Sequence, residues 1–149
     1  MAKKEISLRE RALAMLARRE HTRAEMTRKL SRHSDSPEQV QQLLDALAAR
    51  GWLSETRFAE SRANALAHRF GSRKIEHDLK SRGVSAEVVA QTVERAQAQE
   101  LDHCRAAWEK KFGILPQNAA ERGRQMRFLA GRGFSAEAVR QVLKTGKVD

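Results

Sequence analysis

Residues 132–141 read RGFSAEAVRQ and residues 82–91 read RGVSAEVVAQ, with seven of the ten positions identical. Each stretch has the form of a helix start. A serine hydroxyl can accept a hydrogen bond from an early backbone N–H, and the valine four residues on begins an apolar face. Aligning Ser85 with Ser135 brings in Ser36 as a third, weaker copy. Four residues on stand Val40, Val89 and Val139; two on, Glu38, Glu87 and Glu137; six on, Gln42, Gln91 and Gln141. Six back stand Leu30, Leu79 and Leu129, so the period is 49 and then 50 residues. Self-similarity at a fixed period marks a repeat architecture, in which each unit buries part of its apolar face against its neighbour.

The unit itself is helical. Val40, Leu43, Leu44 and Leu47 follow the i, i+3, i+4, i+7 stripe of an amphipathic helix; Val89, Val93 and Ala96, then Val139, Val142 and Leu143, repeat it. There is no alternating β-branched run long enough for a strand. Ser7-Leu8-Arg9-Glu10 and Thr22-Arg23-Ala24-Glu25 match the capping box, and Ser54, Ser72, Ser85 and Ser135 are further N-cap candidates. Gly51, Gly71, Gly83, Gly113 and Gly133 each end a helical run. The pattern predicts helices near 7–20, 22–33, 36–50, 54–70, 72–82, 85–98, 100–112, 119–132 and 135–145. The expected fold is all-α: three tandem three-helix repeats over 1–52, 53–98 and 99–149, forming an elongated, curved array.

At 149 residues the chain can bury roughly 68–70% of its unfolded surface. Hydrophobic residues make up 40% and charged residues 32%, a balance that folds rather than stays disordered. No stretch approaches the roughly 20 apolar residues of a membrane helix, and MAKKEISLRERAL has no secretory h-region, so no membrane contact and a cytoplasmic location are expected. The single cysteine, Cys104, reads as a small core residue at helix-face spacing from Leu101 and Trp108. A monomer is the expected state.

The net charge is +10, with a pI near 10.6. Residues 18–33 carry +4, residues 69–82 carry +3 and residues 122–132 carry +4, so the rest of the chain totals −1. The excess therefore recurs at the middle helix of each repeat, where equivalent faces can align into a basic track for an anionic partner. Arg69, Arg73, His77 and Lys80 fall close to one line on a helical wheel. The candidate partner-binding residues are Arg23, Arg28, Lys29, Arg69, Arg73, Lys74, Lys80, Arg124, Arg127 and Arg132. The bland alternative is a solvated face whose arginine stems cover apolar surface. Phe70, flanked by Arg69 and the Arg73-Lys74 pair, reads first as a core anchor at a helix end and second as a base-stacking platform.

No phosphate-cradling glycine loop, HExxH, zinc-type cysteine pairs or GxSxG elbow is present. The five histidines are dispersed, and most carboxylates have basic neighbours at helical spacing. Catalysis, cofactor binding and metal binding are not expected.

Three stretches carry a family resemblance. ALAMLARREHTRAEMTRKL (12–30) resembles the first signature of the RecX family, cytoplasmic bacterial regulators of the RecA recombinase. RGWLSETRFAESRANALAHRFGSRKI (50–75) resembles its glycine-aromatic-leucine turn, Arg-Phe pair and basic helix. KKFG (110–113) with RQMRFLAGRGFSAEAVRQVL (124–143) resembles the third unit of its longer members. Ser54-Glu55 departs from the usual acidic pair, though serine still caps a helix. The resemblance implies three tandem three-helix repeats without catalytic activity, bound in the groove of the RecA–DNA filament. It implies suppression of ATP hydrolysis, strand exchange and stimulated repressor cleavage, and weak, sequence-independent contact with single- or double-stranded DNA. Two other readings stay open: an independent helix-turn-helix-like nucleic-acid-binding module, and a scaffold for another acidic protein.

Overall fold

The computed structural model describes residues 5–145, and nine α-helices run through them in three groups. The first repeat holds α1 (Leu8–Arg18), α2 (Arg23–Leu30) with a 3₁₀ turn at Ser31–His33, and α3 (Pro37–Ala49). The second holds α4 (Glu55–Ala67), α5 (Ser72–Ser81) and α6 (Ala86–Ala98). The third holds α7 (Glu100–Lys111), α8 (Ala119–Gly131) and α9 (Ala136–Thr145). No strand occurs among the described residues, so the architecture is all-α, with three tandem three-helix repeats arrayed as the period predicts.

Each repeat has its own core, built from the aligned positions. Met26, Leu30, Val40, Leu44 and Leu47 fill the first, together with Ala12 and Leu53. Phe58, Ile75, Leu79, Val84, Val89 and Val93 fill the second. Cys104, Trp108, Leu129, Phe134, Val139 and Val142 fill the third. Leu30, Leu79 and Leu129 are fully buried, as the repeat alignment requires. Burial pushes the Cys104 thiol up to about 12, so it stays a neutral, inert core atom.

Capping follows the sequence at five starts. Ser7, Thr22, Ser36 and Ser54 accept from the N–H three residues on, at 3.0–3.2 Å, and Ser135 accepts from Ala138 at 3.2 Å. Asn118 caps α8 by accepting from Glu121 at 2.9 Å.

Three expectations are corrected here. Ser72 is not a cap but the first helical residue of α5, buried, with Gly71 before it. Ser85 stands at the N-cap of α6 as expected, but its hydroxyl makes no cap bond; its N–H donates to Glu55. Gly71 is not a left-handed helix terminator, since its φ is −87°. It is glycine because a Cβ there would stand 2.5–2.6 Å from backbone atoms of Gly133 and Phe134. The same correction moves Arg69: α4 ends at Ala67 and α5 begins at Ser72, so Arg69 lies in the connecting loop, off the line of Arg73, His77 and Lys80.

The two seams between repeats differ. At the second, the turn after α8 supplies acceptors to the start of α5: Gly71 N–H donates to the Arg132 carbonyl at 2.8 Å, and Arg73 N–H to the Gly133 carbonyl at 3.2 Å. Buried Glu100 completes the junction. Its Oε1 accepts from Ser72 N–H (3.1 Å), the Ser72 hydroxyl (3.0 Å) and Ser135 N–H (3.1 Å). Repeat 3 thus satisfies the N-terminal amides of a helix in repeat 2, groups that every helix start leaves open. At the first seam α2 is capped by its own Thr22, and the joint rests on Gly83 packed against Ala24 and an exposed Arg57–Glu20 pair at 2.8 Å.

The first repeat is acid-sensitive. Arg19 grips Glu25 through two hydrogen bonds, at 2.6 and 3.1 Å, and holds its carboxyl down to about 2. Buried His21 donates from Nδ1 to the Arg19 carbonyl, and burial lowers its pKa. Both folded-state values lie below the unfolded ones, so the unfolded chain binds more protons in acid and stability falls with pH. The His21 contribution is lost as pH drops below about 6.5, the Glu25 contribution from about 4.5 toward 2. Because Arg19 is half-exposed, the Glu25 pair contributes about 1–2 kcal/mol rather than its unscreened value. Glu25→Gln is expected to cost that amount at pH 7 and to flatten the pH 4.5–2 limb of a urea-melt series.

Candidate basic interface

Phe70 sits at the second seam, in the loop before α5, half-buried and outside all three core clusters. Lys74 Nζ stands 4.9 Å from its ring centroid, the Arg132 guanidinium 5.6 Å and the Arg69 guanidinium 5.7 Å. Arg132 also lies 4.9 Å from the Phe128 ring, which Lys111 approaches at 5.5 Å and Phe112 meets edge-on at 5.4 Å. Phe70 is therefore neither core anchor nor open base platform. It gathers cations.

The seam explains how Arg132, 63 residues beyond Arg69, comes to meet Arg69 and Lys74 there. The bond from Gly71 N–H to the Arg132 carbonyl brings the end of α8 to the start of α5, and Arg132 also donates to the Arg69 carbonyl at 3.4 Å. None of Arg69, Lys74 and Arg132 has a carboxylate within ion-pair distance among the described residues. Each cation–π contact is worth about 0.5–1 kcal/mol at an exposed site. Like charges this close repel by on the order of 1 kcal/mol per pair. The ring partly offsets the repulsion; an incoming anion would remove it. Arg73 extends the same positive surface along the groove beside α5, a space of about 550 Å³ that Asp78, gripped by Arg62, also lines.

The other candidate residues are placed differently. Arg23 is engaged within its own repeat, donating to Gln41 and pairing with Asp45 at 2.6 Å. Lys29 pairs with Glu25 at 3.6 Å, and Lys80 with Glu76 at 2.6 Å. Arg28 lines a groove at the first seam with no ion pair. Arg124 and Arg127 are exposed on α8, also without an ion pair, and Arg127 folds back over Gly123. Unpaired charge is thus densest at the second seam.

Several interactions escape a sequence reading. Arg62 grips Asp78 through two bonds, at 2.8 and 3.0 Å, and Arg82 joins the same carboxylate at 3.1 Å; hydrogen bonding from Arg62 lowers the Asp78 pKa. Sixteen residues separate Arg62 from Asp78, beyond any helical spacing. Exposed Trp52 is flanked by the Arg50 and Arg9 guanidiniums at 5.2 and 5.7 Å. Glu100 gave a partial signal, since Glu55 stands at the equivalent first-helix start and accepts from Ser85 N–H as Glu100 does from Ser135. Among the described residues no three His, Cys, Asp or Glu side chains assemble as metal ligands, and no helix is long and apolar enough to cross a membrane.

Fold and seam together define a tandem three-helix-repeat protein with a cation-rich junction between its second and third units. Comparison with known proteins makes that class specific. The first, second and third three-helix domains of RecX match residues 9–47, 54–93 and 98–143. The chain is 44% identical over 140 residues to the regulatory protein RecX of Leptothrix cholodnii, covering 94% of this chain and 89% of that protein. It is 42% identical over 149 residues to that of Chromobacterium violaceum, covering 100% and 97%. The crystal structure of RecX from Lactobacillus salivarius superposes with a TM-score of 0.81 at 15% identity, over 92% of each chain, a likeness of fold. The chain belongs to the RecX family, a family of regulatory proteins.

Proposed function

We propose that this protein is a negative regulator of the RecA recombinase that binds the RecA–DNA filament and inhibits its ATPase, strand-exchange and coprotease activities. Family membership supplies the partner. The observation that carries the mode of binding is the convergence of Arg69, Lys74 and Arg132 on Phe70 without an intramolecular anion. Arg28, Arg73, Arg124 and Arg127 add unpaired charge for an acidic protein surface or a phosphate backbone. Arg23, Lys29 and Lys80 contribute by exchanging their internal carboxylates for the partner's.

The test is RecA ATPase on single-stranded DNA, titrated with the protein at several salt concentrations. Inhibition that saturates and weakens as salt rises is expected, because displaced counterions and screened charges both oppose binding at high salt. ATPase rates unchanged at saturating protein would overturn the reading. A footprint on defined duplex sites without RecA would instead establish an independent nucleic-acid-binding module.

A further inference from the structure

The middle repeat carries small side chains where its two neighbours carry large ones. Aligned on their capping serines, Ser7 and Ser54, α1 and α4 set Leu16 opposite Ala63. Aligned on Glu55 and Glu100, which accept from equivalent serines, α4 and α7 set Trp108 opposite the same alanine. In the third helices, aligned on Ser36, Ser85 and Ser135, Thr92 answers to Leu43 and Val142, and Ala96 to Leu47. Repeats 1 and 3 therefore close the space between their first and third helices. Repeat 2 leaves a cleft of about 240 Å³ between α4 and α6, floored by Ala63, Ala67, Ile75, Thr92 and Ala96.

The third repeat shows what fits. Trp108 is buried there, its indole N–H donating to Gln125 at 2.8 Å. Gln125 answers to Ile75 on the cleft floor, so the Trp108 ring takes up the room that the cleft holds in repeat 2. Ala67 likewise answers to Phe112. The rim suits an uncharged guest. Arg95 is the one arginine or lysine in the lining, and it pairs with Glu60 across the mouth. Phosphates that accompany a nucleobase would find no unpaired arginine or lysine there. Asn64 and Gln99 offer side-chain amides that hold no hydrogen bond among the described residues. An indole or phenol presents an apolar face to the alanines and one polar edge to such an amide. The volume is below the roughly 300–1,000 Å³ of small-molecule sites, and suits a single side chain.

Resting on the regulatory reading above, we propose that this cleft is a socket for one tryptophan or tyrosine side chain projecting from the regulated protein. An aromatic anchor in a preformed pocket carries a large share of an interface's energy. The socket is a contact separate from the basic seam: Ala63 and Ala67 of α4 line it, while Arg62 and Leu66 line the groove beside Phe70.

N-acetyltryptophanamide is the probe. Added to the isotope-labelled full chain, it is expected to shift the amide signals of Ala63, Ala67 and Ala96 saturably, with a midpoint of about 1–10 mM, as one side chain without its protein should. No shift at those amides overturns the socket while the regulatory reading stands. Ala63→Leu and Ala63→Trp give repeat 2 the residues that repeats 1 and 3 carry. Both are expected to melt no lower than wild type, because each fills space, and to lose the probe shifts. In the RecA ATPase assay each is expected to raise the half-inhibitory concentration about tenfold. Ala63→Leu decides the matter if the larger ring does not fold. Folded variants that inhibit like wild type overturn the socket. Wild-type protein that fails to inhibit overturns the regulatory reading and the proposal with it. Unchanged affinity of both variants for a single-stranded oligonucleotide, offered without RecA, is expected; a loss would put a nucleobase in the cleft and overturn the proposal.

Discussion

Arg69→Glu/Arg73→Glu/Lys74→Glu abolishes inhibition of the RecA ATPase at concentrations where the wild type saturates, and its far-ultraviolet circular dichroism is unchanged. That is the expected result, and it follows from the seam. The triple variant changes the local charge by six units at residues that hold no intramolecular carboxylate, so no internal ion pair is broken. At roughly 0.5 kcal/mol per exposed charge in physiological salt, the loss is about 3 kcal/mol, or over a hundredfold in apparent affinity. The cost to folding is smaller. Lys74 and Arg69 lose their cation–π contacts with Phe70, about 0.5–1 kcal/mol each, while Arg132 keeps its place over Phe70 and Phe128. Full inhibition by the triple variant would sink the assignment of this seam as the interface.

The same residues show what a sequence can and cannot disclose. Ser36, Ser85 and Ser135 fixed the period, and Leu30, Leu79 and Leu129 fixed the buried face, because local caps and helical spacing depend on neighbours in the chain. Charge totals pointed to the middle helices for the same reason. Pairing is different, since it depends on which helix lies alongside. Arg23 and Arg28 look alike in the sequence, yet Arg23 reaches Asp45 on α3 while Arg28 faces a groove. Arg132 read as the last basic residue of a helix; its position over Phe70 exists only because repeat 3 docks on repeat 2. Glycines hid their reasons too. Gly71 and Gly51 both looked like helix stops, but only Gly51 has the left-handed φ, at +74°.

That difference between two glycines yields the second large effect. Gly51→Ala meets no atom within 4 Å, so its cost is the left-handed backbone alone, about 1–2 kcal/mol. Gly71→Ala has no φ penalty, but its methyl would stand 2.5 Å from the Gly133 carbonyl oxygen and 2.6 Å from two further backbone atoms. Neither side can yield by rotating a side chain, so the turn after α8 must back away from α5. The Gly71 and Arg73 hydrogen bonds then lengthen, and Glu100 is left buried with its donors displaced. Stranding such groups costs about 1–3 kcal/mol each, so Gly71→Ala is expected to lose about 3–5 kcal/mol in urea denaturation, several times the Gly51→Ala loss. Hydrogen exchange should locate the damage at the starts of α5 and α9 rather than in the first repeat. Because the substitution changes no charge yet separates Arg132 from Arg69 and Lys74, it should also weaken RecA inhibition at temperatures where the protein remains folded. A Gly71→Ala protein with wild-type stability would show that the second seam tolerates repacking, and that the Phe70 cluster does not depend on its closeness.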